Sequence, residues 1–403
     1  MTAMQGVARV PVRVLTTIWT VSLAVVFFTN LDAYVYLGTG LWYTRPVYWT
    51  LAALLISLPL LAKQFDQVML LLRSPIGLWS IVFLALSALY LVLFQHSQAA
   101  TAVMFQHLHF VVLFWLFVLV FSTAIQEVIV ALAACTVSIA LLNWVEFFYP
   151  LATNLFDCRA VGMYLNPNGA AYALVFGMLA GLRAFPVRAK PWFVMVAGIS
   201  ILPTYSRSGM IIYVVAMLVL LASGMINWRR LMLPALVGAG VIILLFSLAL
   251  INVGGRHDCV AHSIGDRGKA IHFSSTDLGS AESDYSTQSR VTLVRQAYSE
   301  YRASWLFGRG LDLTSVWKGG QRSHNIYLEK GIEMGIAGLL IWPAFLLSLA
   351  LSIHGRSRKW ACDLLIVSTG LVLGLFSHNL FESRQILIAA ALLLVTSADR
   401  STR

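Results

Sequence analysis

The chain alternates long apolar runs with short polar connections. The runs fall at about 14–31, 47–62, 76–94, 100–123, 127–148, 168–185, 191–205, 208–226, 232–252, 334–353, 361–379 and 385–398. With ~20 apolar residues needed per spanning helix, they predict about twelve transmembrane helices. One polar stretch breaks the pattern. It divides the chain into spans 1–9 (1–252), a large outer loop with short helices (253–333) and spans 10–12 (334–403). Within the loop, 253–285 is rich in Gly, Ser, His and Asp and reads as irregular. Val291, Val294, Tyr298 and Tyr301 then recur at helical spacing and predict a helix over 287–303. Such a helix can lie along the membrane interface, and Trp305, Phe307 and Trp317, around Gly308-Arg309-Gly310, suit the same depth.

Composition agrees with the pattern. The 403 residues are 59% hydrophobic and only 11% charged, where soluble domains carry about 25%. This excludes a soluble enzyme, a disordered tail and a coiled coil, and predicts an all-α polytopic membrane protein. The net charge of +11 comes with no nucleic-acid-reading motif, so membrane lipids, not nucleic acid, are its expected counterpart. Fourteen Lys and Arg residues lie in one set of loops: Arg9, Arg13, Lys63, Arg73, Arg183, Arg188, Lys190, Arg229, Arg230, Arg356, Arg358, Lys359, Arg400 and Arg403. Only Arg45, Arg159, Arg207 and Arg384 lie in the short loops opposite. The asymmetry puts both termini in the cytoplasm and 253–333 outside. Ten basic and nine acidic residues in that segment make it no polycationic patch. Arg9 and Arg13 precede an apolar stretch long enough to stay as a span, so no cleavable signal peptide is expected.

Four cysteines without CxxC spacing argue against zinc, and His257, His262 and His272 with Asp258 and Asp266 fit no ligand pattern. No metal or cofactor is expected. Cys158 and Cys259 both fall on the outer side, an oxidising compartment, and are expected to form a disulfide; Cys135, within a span, and Cys362, near the inner face, are not.

Ionisable groups at membrane depth are functional candidates by default. Arg207 lies in a connection of five residues, Tyr205 to Gly209, so tight that its guanidinium sits at or below the outer interface. A snorkelling anchor is the plainer reading, but the flanking Ser206, Ser208 and Gly209 free backbone N–H groups at a helix start, which suits a phosphate. Arg159 stands near the turn Asn166-Pro167-Asn168-Gly169, which leads into another helix. His324 and Asn325 open a helix where the outer loop re-enters the membrane, with Gly335 and Gly338 permitting close packing behind them. Histidine is the best general base near neutral pH. Asp32, at the outer end of the first run, is its rival, and His107 and His109 read as structural.

At these residues the sequence resembles the O-antigen ligase and O-antigen polymerase superfamily. The similar pieces are RAVGMYLNPNGAA (159–171), SRSGM (206–210), SRVTLVRQAYSEYRASWLFGRG (289–310) and SHNIYLEKGIEMGIAGLL (323–340), in the family's order. The resemblance covers roughly 155–345. It implies a C-type glycosyltransferase fold in the bacterial inner membrane, with the active site on the periplasmic side. It also implies a glycan donor linked to undecaprenyl pyrophosphate. On the family pattern the arginine of SRSG maps to Arg207, that of SRxTL to Arg290 and the histidine of HNxYL to His324, the expected catalytic set. Arg159, Arg309, Asn325, Asn166 and Asn168 are the expected substrate-binding residues. A compact chain with one dominant outer loop looks most like the ligase that joins O-antigen to lipid A–core, the polymerase being the alternative. A lipid-linked glycan transporter would place charge near mid-membrane and carry an inverted repeat, whereas here the ionisable groups collect at the outer ends.

Overall fold

The computed structural model describes residues 9–94, 98–149, 159–164, 166–250, 285–311, 323–354, 360–377 and 379–399. Among these the secondary structure is helical, with no strand. The helices are α1 (Arg9–Phe28), α2 (Leu31–Thr39), α3 (Pro46–Lys63), α4 (Phe65–Leu72), α5 (Pro75–Leu93), α6 (Gln98–Phe121), α7 (Ile125–Phe148), α8 (Pro167–Gly181), α9 (Lys190–Ile199), α10 (Arg207–Ala222), α11 (Trp228–Leu250), α12 (Tyr285–Ala303), α13 (Ile326–His354), α14 (Trp360–Gly374) and α15 (Arg384–Asp399). Each apolar run lies on a helix, and α12 is the helix expected over 287–303.

The polytopic all-α class therefore stands, but twelve complete spans do not follow from helix length. Six helices, α3, α5, α6, α7, α11 and α13, are long and apolar enough to cross a membrane. A seventh span results if α1 and α2, bent by 62°, form one broken span. The apolar helices α8, α10, α14 and α15 have 15 or 16 residues, about 24 Å at 1.5 Å per residue, against a hydrocarbon core of ~30 Å.

The short helices are central. α15 is buried from Arg384 to Ser397, and α8 along most of its length. α15 packs on α6, α8, α13 and α1; α8 packs on α7, α10 and α15. Both are apolar on all sides, as a helix enclosed by other helices must be. At the periphery, α3 and α11 turn Leu51, Leu55, Leu236 and Ile243 outward, where lipid is the solvent. Small residues set the closest approach. Gly177 and Gly181 lie one turn apart on α8, and a methyl group at Gly181 would sit 2.8 Å from the Ala133 Cα of α7.

α13 is not one rod. Met334 (φ −127°, ψ 18°) and Gly335 (φ 61°, ψ −145°) interrupt it, and the interruption frees carbonyls that an apolar environment cannot solvate. The segment after α12 supplies the missing donors. The Arg309 N–H reaches the Ile332 carbonyl at 2.9 Å and the Gly310 N–H reaches that of Glu333 at 3.0 Å. The Tyr90 hydroxyl of α5 donates to the Met334 carbonyl at 3.1 Å. Two glycines make the insertion possible, since both Gly308 (φ 70°) and Gly335 need positive φ. A methyl at Gly308 would lie 2.5 Å from the Glu333 carbonyl oxygen, and one at Gly335 would strike the Leu306 carbonyl. Residues 308–310 and the helix opened by His324-Asn325 are thus one packed unit.

Alanine at Gly308 or Gly335 combines a left-handed conformation with overpacking, and each should lower stability by about 1–3 kcal/mol. Gly240→Ala in α11, where an added methyl meets nothing within 4 Å, should leave the melting temperature unchanged or raise it. Thermal unfolding of the three variants in detergent checks this; equal melting temperatures would refute the close approach.

Candidate active site

Three segments singled out by the sequence meet at one end of the bundle, each through a helix start. The first N–H groups of a helix need acceptors, and polar side chains supply them. The Asn166 side chain accepts the Asn168 N–H at 2.9 Å to cap α8. Ser206 Oγ accepts the Gly209 N–H at 3.1 Å to cap α10. Asn325 Oδ1 accepts the Leu328 N–H at 3.1 Å to cap α13. The starts are also tied together. Ser206 Oγ donates to Asn168 Oδ1 at 2.7 Å, and the Tyr172 and Ser208 hydroxyls pair at 2.9 Å.

Residues 159–162 lie beside them, held by a carboxylate that the sequence hides inside an apolar run. Glu146 Oε2 accepts the Val161 N–H at 2.8 Å and the Gly162 N–H at 2.5 Å. Ala160 N–H donates to the Pro203 carbonyl at 2.9 Å, and Arg159 Nε to the Thr204 carbonyl at 2.9 Å. Arg159 is therefore fixed next to the connection that ends in Arg207, the first residue of α10.

A cavity of about 250 Å³ opens here, with Asn166, Asn168, Tyr172, His324, Glu382 and Gln385 in its wall. The first turns of α8 and α15 border it, α13 starts beside it, and α10 is bonded to it through Asn168. Each helix start contributes positive potential, Glu382 is the formally charged residue in the wall, and Arg207 and Arg159 lie outside it, at the head of α10 and beside the connection that leads there.

Backbone strain concentrates at the same place. Among the described residues three that are not glycine have positive φ: Asn30 (61°), Tyr205 (48°) and His324 (52°). Asn30 and His324 line the cavity, and Tyr205 immediately precedes Ser206. Each such residue costs about 1–2 kcal/mol, and such conformations cluster where function requires them.

Opposite the arginines a buried ion pair fixes the remaining wall. The Arg384 guanidinium donates to the carboxylate of Asp32, and to Asn30 Oδ1 at 3.1 Å. It also stacks over the Phe27 ring, 5.5 Å from its centroid. The Asn30 amide reaches the Met163 carbonyl at 3.4 Å, and the Tyr164 hydroxyl the Phe28 carbonyl at 2.7 Å. The bend between α1 and α2 is thereby locked to α15 and to the turn before α8. Asp32, fully buried and engaged by Arg384, serves this brace, and His324 is the residue of the two that lines the cavity. Deeper in the bundle, Lys330 pairs with Glu333 at 2.7 Å, both buried, and His107 Nδ1 shares a hydrogen bond with Ser87 Oγ at 2.9 Å.

The expected residues thus separate. His324, Asn166 and Asn168 share the cavity wall, with Arg207 and Arg159 beside it. Asn325 and Asn166 use their side-chain oxygens as helix caps. Arg309 is exposed and paired with Glu300 of α12, so α12 rather than the cavity holds it. Arg290 lies on α12, but its side chain is outside what is described; Cys158, Cys259 and the histidines 257, 262 and 272 lie outside the described residues altogether. Glu146, Glu382 and the Asp32–Arg384 brace were missed. Arg384 and Asp32 are 352 residues apart, and no local pattern joins them.

Fold and site together define a polytopic all-α membrane protein with a polar, histidine-bearing cavity at its helix starts. Residues 192–343 match the family model described as O-antigen ligase. That match supports membership of the O-antigen ligase and polymerase superfamily. It includes Arg207, Arg290, Arg309 and His324, and it stops short of Arg159 and Arg384. No curated protein matches the chain significantly.

Removing one partner of a buried ion pair strands the other, at about 3–5 kcal/mol. Arg384→Ala and Asp32→Ala should each lower the melting temperature sharply. The double variant Asp32→Leu/Arg384→Met should lose less than either. A double variant worse than both single ones would mean that the pair is not a mutual brace.

Proposed function

We propose that the chain is an O-antigen ligase. In this reading it transfers a glycan from undecaprenyl pyrophosphate to a sugar hydroxyl of lipid A–core, at the periplasmic face of the bacterial inner membrane. The observation that carries the reading is the joining of His324, Asn168, Ser206 and the Arg207 helix start around one cavity bordered by positive helix ends. A pyrophosphate is already a good leaving group. What it needs is compensation for charge that grows on the leaving oxygen, and preset cations provide it without reorganisation. Arg207 and Arg290 are the proposed clamp, with Arg159 beside them, because a guanidinium grips phosphate through two donors at once. Metal is unnecessary in this scheme.

The acceptor hydroxyl gives its proton to the neutral imidazole of His324 as its oxygen attacks the anomeric carbon. The bond from that carbon to the phosphate oxygen breaks, and undecaprenyl pyrophosphate leaves with the electron pair. A single displacement with one base inverts the anomeric centre. The polyprenyl chain remains in lipid. The proposed topology has twelve membrane passages, with both termini cytoplasmic and 253–333 periplasmic.

In a transfer assay with purified protein in excess EDTA, His324→Ala should lower kcat by ~10²–10⁴ with little change in donor affinity. Arg207→Ala should raise the donor KM and also lower kcat, since a charge clamp contacts both ground and transition states, and Arg207→Lys should rescue poorly. A His324→Ala enzyme that keeps most of its activity would remove the base assignment. Topology has its own test. A cysteine at Ser280 should react with an impermeant maleimide in intact spheroplasts, and protection there would place the segment on the other side.

A further inference from the structure

Beside the cavity that holds His324 lies a second, of about 380 Å³, and Asn30 and Glu382 belong to the walls of both. No residue of α8 or α10 lines the second cavity; its wall comes from α3, α6, α15 and the turns before α2 and α15. It therefore opens on the side of the first cavity away from Arg159 and Arg207.

Its chemistry differs from that of the arginine flank. Arg384 lines it, but this cation is already compensated by Asp32. Glu382 is the other charged group in the wall, and the first cavity shares it. What it offers is a mixture of neutral donors and acceptors. Arg384 directs one nitrogen to Asn30 and Asp32, and among the described residues its other N–H groups make no hydrogen bond. Gln106 brings a carbonyl and an NH₂. His109, one ring nitrogen of which pairs with Thr50 Oγ1 at 2.8 Å, contributes a ring edge. Phe110 and Phe381 add aromatic surface. Hydroxyl groups that both donate and accept, on a ring with apolar C–H faces, match this set. The volume falls within the ~300–1,000 Å³ of small-molecule sites.

We propose that this second cavity is a carbohydrate subsite. It holds the sugar that carries the acceptor hydroxyl, and the shared wall at Asn30 and Glu382 delivers that hydroxyl toward His324. The donor's phosphates stay on the α8–α10 side. The proposal rests on reading the first cavity as the place of transfer, and it adds to that reading where the acceptor lies and which groups select it.

Binding tests it without relying on turnover. Detergent-purified protein is titrated calorimetrically with deacylated core oligosaccharide, no donor being present. Gln106 and Glu382 are both exposed positions, so Gln106→Ala and Glu382→Gln should leave the fold intact. Each should weaken binding about tenfold, the worth of one good hydrogen-bond partner, while Arg207→Ala binds as wild type does. Equal affinity of wild type and both cavity variants overturns the subsite, and so does a wild-type protein that binds no oligosaccharide, whether or not it transfers glycan. If an O-antigen repeat oligosaccharide binds instead of core, with the same dependence on Gln106 and Glu382, the subsite stands and the ligase reading falls.

Discussion

A backbone polar group left unpaired in an apolar medium costs several kcal/mol, and every break in a helix at membrane depth exposes some. This constraint organises the molecule. The bend after α1 is closed by the Tyr164 hydroxyl on the Phe28 carbonyl. The turn before α8 is closed by Glu146 on two N–H groups. The interruption of α13 is closed by the N–H groups of residues 309 and 310 and by Tyr90. The candidate site is built from these breaks. Helices that stop inside the bundle create a hollow, their first turns aim positive ends into it, and the side chains that satisfy them become its wall.

Charge follows the same logic. Arg384 and Lys330 are buried, and each meets a carboxylate at hydrogen-bonding range, Asp32 and Glu333 respectively. Lys330 also lies 5.9 Å from the centroid of the Phe381 ring. Buried pairs of this kind add little net stability but make the loss of either partner expensive. Their effect is to specify geometry: one fixes the bend at Asn30, the other the helix that carries His324. Arg207 is exposed at the head of α10, which is compatible with the clamp proposed for it.

Much of this could be read from the sequence because hydropathy reports helices directly, and all twelve apolar runs lie on helices. The number of passages was less legible, since 15 apolar residues give the same run of hydrophobic letters whether a helix crosses fully or stops within the core. His324, Asn166 and Asn168 could be located because short polar motifs at the head of apolar runs mark helix starts. Glu146 could not, being one acidic letter near the end of a long run whose role appears only when residues 161 and 162 fold back upon it. The Asp32–Arg384 brace joins opposite ends of the chain. Gly335 was read as a packing residue, whereas its positive φ makes it a break in α13, a difference of backbone geometry that the amino-acid identity leaves open.

The seating of residues 308–310 in the break of α13 bears on how the protein can be recombined. Residues 308–310 are seated inside the helix that follows them, with Gly308 against Glu333 and Gly335 against Leu306. A chimera that exchanges the polar segment at the start of α13 would cut through this joint and leave carbonyls from one parent facing a loop from the other. The natural crossover point lies beyond Gly335, so that α12, the glycine turn and the helix bearing His324 are inherited as one block.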